Sequence, residues 1–138
     1  MENPISQDML TLATEALAHA YCPYSHYPVA ACVRAEDGTL FTATNVENAA
    51  YNLCSCAETN AITQLASCGY RHIEECVVLV KGEKPASPCG ACRQRLAEFS
   101  NEKTVVHMCC TSGKIQTKLL SELLPWSFGP KDLENTQP

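Results

Sequence analysis

An α/β domain with a mixed sheet is the fold class this sequence predicts, and three observations predict it. Helix-like and strand-like segments follow one another in the order α, β-β, α, β, α, β, β, α. The run Cys76 to Val80 is apolar without alternation, as in a strand covered on both sides, and Thr104 to Cys109 reads as a second such strand. Glu36-Asp37-Gly38 lies between two strand-like runs as a hairpin signal, which puts an antiparallel pair on one side of the sheet. A β-α-β-α-β stretch favours right-handed crossovers, a largely parallel core and helices over both faces.

Each element has its own warrant. Residues 6 to 20 carry Met9, Leu10, Leu12, Ala13, Ala16, Leu17 and Ala20 at helical spacing, with Ser6 as N-cap and Asp8 in the first turn. Pro23 cannot continue that helix. Val29 to Arg34 and Leu40 to Val46 form the hairpin arms. Ala57 to Cys68 is a second helix that buries Ala61, Ile62 and Leu65 and stops at Gly69. Gly90 to Phe99 reads as a third helix. Ser112-Gly113 turns into a short edge strand, Lys114 to Thr117, and Leu119 to Leu124 adds a last helical turn or two before Pro125.

Composition narrows the function. At 138 residues the chain is one domain, 1–138, large enough for one ordinary core. Its 46% hydrophobic and 18% charged residues describe a compact soluble protein. The formal charge is −5 with no run of Lys or Arg, so the basic stripe of a nucleic-acid binder is missing. The stretch from Met9 to Tyr21 is broken by Thr11, Thr14, Glu15 and His19 and does not span a membrane. Ten cysteines would suggest disulfides in a secreted chain. The N-terminus MENPISQDML has neither a basic nor an apolar signal region, so the expected home is the reducing cytoplasm, where clustered cysteines bind metal or react.

Two segments carry chemistry: Cys56-Ala57-Glu58 and Pro88-Cys89-Gly90-Ala91-Cys92. Cys89 and Cys92 stand three apart, on one face of a helix. Cys56 and Glu58 are two apart and would point to opposite sides inside a regular helix. Both serve one site only if the second helix begins at Cys56, and the same logic puts Cys89 at the start of the third. Three thiolates would then hold one Zn²⁺ at two helix N-termini, with the fourth position open as in a catalytic site. Zinc makes hydroxide available near neutral pH, and Glu58 is the expected proton shuttle. The summed charge of three thiolates and Zn²⁺ is −1, and Arg93 is the candidate cation to offset it. Taken alone, C-x-x-C also fits a thiol oxidoreductase, and Glu58 and Arg93 also fit a solvated helix surface. The other seven cysteines, Cys22, Cys32, Cys54, Cys68, Cys76, Cys109 and Cys110, read mostly as small buried hydrophobes.

With Cys in place of His, the two segments reproduce the H-x-E…P-C-x-x-C signature of zinc nucleobase deaminases. Adding Tyr21 to Val29, Asn45 to Tyr51, Arg93-Gln94 and Leu123-Leu124-Pro125 to Phe128-Gly129-Pro130, the chain resembles the homotetrameric cytidine deaminases from about residue 9 onward. That resemblance implies a three-layer α/β/α sandwich around a five-stranded mixed sheet and one zinc per subunit. It also implies hydrolysis of cytidine and deoxycytidine, with zinc hydroxide attacking C4. Carried over residue by residue, it puts Asn45 and Glu47 on the ribose, Tyr27 near the base, backbone groups of Ala57 and Ser87 beside it, and Phe128 over a neighbouring subunit's pyrimidine. Asn45 and Glu47 also fit a polar strand end satisfying its own turn, and Phe128 with Trp126 also fits a cap on the core.

One position departs from the family. Arg commonly follows the catalytic Glu in three-cysteine members; here Thr59 does, and a hydroxyl bond to a thiolate is one substitute. A less acidic zinc water and a higher pH optimum would follow. Rival readings are a deaminase of another amino-substituted ring, a structural zinc module, and a polynucleotide deaminase, the last opposed by the acidic charge.

Overall fold

A computed structural model describes residues 4–134; the first three and last four residues of the expected 1–138 domain lie outside the described residues. The elements run α1 (Gln7–Leu17), β1 (Val29–Ala35), β2 (Leu40–Thr44), α2 (Ala57–Ser67), β3 (Ile73–Val80), α3 (Gly90–Glu98), β4 (Val105–Cys110), β5 (Ile115–Leu119), α4 (Leu120–Leu123) and α5 (Lys131–Glu134). A single 3₁₀ turn at Tyr51–Leu53 precedes α2. The five strands form one sheet in the order β2-β1-β3-β4-β5.

The expected parallel core is corrected by this order. Of the strand pairs in the sheet, β3 with β4 is parallel; β1 pairs antiparallel with both β2 and β3, and β5 antiparallel with β4. The crossover from β2 through α2 to β3 is present, but the hairpin partner β1 fills the space between them. Neighbours in sequence and neighbours in the sheet therefore differ at that point.

Alternation along the strands divides the core in two. Ala30 and Cys32 of β1, with Val77 and Leu79 of β3, pack against Met9 and Ala13 of α1. Ala31 and Val33, with Cys76 and Val78, face the other way onto Ala61, Ile62 and Leu65 of α2 and Leu96 of α3. The result is the expected α/β/α sandwich around a five-stranded mixed sheet.

Several boundaries differ from the expected ones. α1 ends at Leu17, and its N-cap Ser6 bonds the Asp8 carboxylate and Arg34 rather than a helix N–H. Gly69, at φ +93°, ends α2 in the left-handed conformation that glycine adopts without a Cβ clash. β2 stops at Thr44 rather than Val46, because Val46 leaves β1 to bridge Tyr21 and Ser55. Of the seven cysteines read mostly as buried packing, Cys32, Cys76, Cys109 and Cys110 are buried, whereas Cys22 is half-buried and Cys54 and Cys68 are exposed. His107 is fully buried on β4 and bridges Glu75 Oε2 (2.7 Å) and Thr117 Oγ1 (2.8 Å).

Candidate active site

The two helices that carry the thiols begin where the residue spacing requires. Cys56 is the N-cap of α2 and Cys89 the N-cap of α3, both in extended backbone conformation. Ala57 and Glu58 open α2, and Cys92 lies in the first turn of α3. The sulfurs of Cys56, Cys89 and Cys92 all lie within 4.8 Å of one another, with Cys56 Sγ and Cys89 Sγ 4.0 Å apart. A tetrahedral ion with bonds of about 2.3 Å to sulfur separates its ligand atoms by about 3.8 Å, close to this spacing.

No fourth Cys, His, Asp or Glu joins that cluster among the described residues. A structural zinc site would close with one more protein ligand; this set leaves a position for water or substrate. Without a metal, the surroundings hold two of the three thiols in their neutral form. Burial lifts the Cys56 thiol above its ordinary range against the hydrogen bond from Cys92, and the charges of Cys89 and Glu58 add to the rise. Cys92 is raised first by burial and then by Glu58, against the bond from Thr59. Cys89 is pushed up by burial, but the N–H groups of Cys92 and Ala91 and the neighbouring thiols bring it below the usual value. Thiols that cannot all become anions alone become so beside a divalent ion.

Beside the sulfurs lies a cavity of about 480 Å³. Its wall takes Val78 and Val80 from the end of β3, Glu58 and Ala57 from α2, and Asn45 and Glu47 from the segment after β2. Glu58 is 5% exposed, and burial raises its carboxyl pKa against the pull of its own backbone N–H. Tyr27 and Ser87 also line the cavity.

Asn45 and Glu47 have structural duties as well. Asn45 Oδ1 accepts from Val29 N–H (3.0 Å) and its Nδ2 donates to Tyr27 O (2.9 Å). Glu47 Oε1 accepts from the N–H groups of Tyr24 (3.0 Å) and Ser25 (3.1 Å), and Oε2 from the Ser25 hydroxyl. These bonds hold a loop in which His26 takes φ +56°, a conformation uncommon outside glycine. Glu47 stays below the usual carboxylate range, chiefly through the Ser25 hydroxyl.

Two expected residues stand apart from the cavity. Arg93 donates to Pro88 O (2.8 Å), Leu123 O (2.7 Å) and the Ser87 hydroxyl, so it braces the loop before Cys89. Phe128 is 59% exposed and does not line its own chain's cavity, and Trp126 is fully exposed, so neither caps the core. Cys54 and Ser55 line the cavity from outside the segments that carry the resemblance, and Ser25 lines it from within Tyr21 to Val29, where the resemblance assigns it no role. All three sit in loops, where no periodicity sets a residue's direction.

The family model for the cytidine and deoxycytidylate deaminase zinc-binding region matches residues 4–108. The chain belongs to this family. Among similar proteins, the cytidine deaminase of Sporosarcina psychrophila is 39% identical over 127 residues, 92% of this chain and 93% of that one. The cytidine deaminase of Halalkalibacterium halodurans is 37% identical over 129 residues, 94% of this chain and 98% of its own. The crystal structure of cytidine deaminase from Burkholderia pseudomallei overlays with a TM-score of 0.85 at 34% identity, covering 91% of this chain and all of that one. The cluster of Cys56, Cys89 and Cys92 is compatible with the zinc site of that family.

Proposed function

We propose that this chain hydrolyses the exocyclic amine of cytidine and deoxycytidine, giving uridine or deoxyuridine and ammonia, with Cys56, Cys89 and Cys92 holding one zinc ion. The observation that carries the reading is the juxtaposition of three clustered sulfurs with the buried Glu58 on one cavity wall. When bound, the ion supplies the Lewis acidity that makes water a nucleophile near neutral pH.

Glu58 manages the protons. Its carboxylate takes one from the attacking water as the oxygen adds to C4, and delivers it to the ring nitrogen N3. The carboxylate then takes the second proton from the hydroxyl now on C4 and passes it to the amine, which leaves as ammonia as the C4–N bond breaks and the C4=O bond of the product forms. The raised pKa of Glu58 suits this exchange, because a buried carboxyl gives and takes protons closer to neutrality. Val78, Val80 and Ala86 offer apolar surface to a flat base, and Tyr27 an aromatic ring. The backbone of Ala57 and Ser87 contacts the base edge, and Asn45 and Glu47 hold the sugar hydroxyls.

A nucleoside suits the cavity better than a nucleotide. None of the described residues lining it is Lys, Arg or His, and Glu47 repels phosphate. Phe128 completes the pocket of a neighbouring subunit in a homotetramer, a reading supported by its exposure and by its not lining its own chain's cavity. The enzyme works as one domain in the cytoplasm, which suits ten free cysteines. Among the described residues no helix is long and apolar enough to cross a membrane.

Ultraviolet assays of purified protein on cytidine, deoxycytidine and cytidine monophosphate, with and without a zinc chelator, test this reading. Turnover of both nucleosides, lost with chelator and restored by zinc, is expected. Chelator-resistant turnover, or a preference for the monophosphate, would overturn it.

A further inference from the structure

The three sulfurs are served differently by their surroundings. Cys56 and Cys89 cap helices, where free backbone N–H groups and the positive end of the helix dipole gather. Cys92 lies inside the first turn of α3, fully buried, and its own N–H is directed to Cys89. The hydroxyl that reaches its sulfur belongs to Thr59 of α2, with Oγ1 and Sγ 3.5 Å apart.

That bond is not the default for a helical threonine. Such hydroxyls commonly return to the carbonyl four residues back, as Thr14 does to Leu10 O (2.7 Å) and Thr63 to Thr59 O (2.8 Å). Thr59 stands in the first turn of α2, where Ser55, four residues back, lies outside the helix with its carbonyl taken by Val46 N–H. Thr59 turns its hydroxyl across the α2–α3 contact. It stands three residues after Cys56, so one turn of α2 carries both a sulfur ligand and a donor to the opposite helix. A metal-binding thiolate has no proton to give, which fixes the direction: Thr59 donates and Cys92 accepts.

We infer that Thr59 is a positioning residue whose hydroxyl orients the Cys92 thiolate toward the metal and offsets part of its charge. This rests on the reading above that the three sulfurs hold zinc. A site of net charge −1 gains from a donor that leaves its coordination open, and removing an outer hydrogen bond of this kind lowers metal affinity by roughly 10- to 100-fold.

The test compares Thr59→Val, which keeps the shape and loses the hydroxyl, with Thr59→Ser, which keeps the hydroxyl and loses the methyl. Zinc affinity is read by chelator competition, and the sulfur-to-metal charge-transfer band in the cobalt-substituted protein. Thr59→Val is expected to lose affinity by roughly 10- to 100-fold and to move the band to lower energy, since an unbonded thiolate gives up its electrons more readily. Thr59→Ser restores both. If Thr59→Val does not fold, Thr59→Ala takes its place with the same expectation. Wild-type affinity and band energy in Thr59→Val, or equal losses in Thr59→Ser, would overturn the inference while leaving the zinc reading intact. Undiminished zinc binding by Cys92→Ala would instead refute the zinc reading itself.

Discussion

Replacing Glu58 by glutamine separates proton transfer from everything else the site does. The side chain is 5% exposed in the first turn of α2, on the cavity wall. Glutamine matches it in length and shape, so the packing and the three sulfurs stay as they are, and only the proton carrier is lost. A positioned acid/base group contributes about 10²- to 10⁴-fold, so kcat falls by that factor, a barrier rise of about 3 to 5 kcal/mol. Stability moves the opposite way. Because burial raises the Glu58 pKa, folding favours its neutral form, and at pH 7 the ionised unfolded chain is favoured instead. Every tenfold by which folding weakens this acid costs the metal-free fold about 1.4 kcal/mol at pH 7, and the cost vanishes well below the unfolded pKa of about 4.3. Zinc-free Glu58→Gln should melt above zinc-free wild type at pH 7, with the gap closing as pH falls toward about 4. Measurements of kcat, bound zinc per chain and melting across that pH range check all three parts. Full turnover, or a lower melting point at pH 7, would refute the reasoning.

Three further outcomes follow from the same geometry. Cys89→Ala should lose bound zinc and activity together, by elemental analysis and ultraviolet assay, whereas Glu58→Gln keeps its zinc. If Phe128 covers a neighbour's pocket, mixing inactive Glu58→Gln with impaired Phe128→Ala should recover activity, because hybrids contain sites with both residues intact. No recovery in subunits shown to exchange would refute the shared site. Glu75 is held below the ordinary carboxylate range first by its bond to His107, against burial and with help from Arg34. Its stabilisation is present above the unfolded pKa and fades as pH falls through the folded one. Glu75→Gln should therefore cost about 1 to 3 kcal/mol at pH 7, shrinking below about pH 4. A deficit constant from pH 3 to 7 in denaturant titrations would contradict this.

Much of the site could be read from residue spacing, and the rest could not for physical reasons. Two helix starts followed from one constraint: Cys56 and Glu58, two apart, share a site only if a helix begins between them, and α2 begins at Ala57. The hairpin was equally plain from Glu36-Asp37-Gly38. Its place in the sheet was not, because β1 could pair outside or inside β2, and only packing decides. Asn45 and Glu47 read as a polar strand end, yet both lie beyond β2, where Val46 changes partners. Arg93 looked like a neighbour of the thiolates from its position; its guanidinium donates to Ser87, Pro88 and Leu123, a destination that depends on the path of the tail. Ser25 holds Glu47 from a loop, and loops carry no period to betray such contacts.

The first coordination shell of the metal in the purified protein is the most direct thing to measure. X-ray absorption at the zinc edge should give one ion per chain with three sulfurs at about 2.3 Å and one lighter atom, oxygen or nitrogen, in the fourth position. Four sulfurs, or a shell that is unchanged when Cys56, Cys89 and Cys92 are replaced one at a time, would contradict the account.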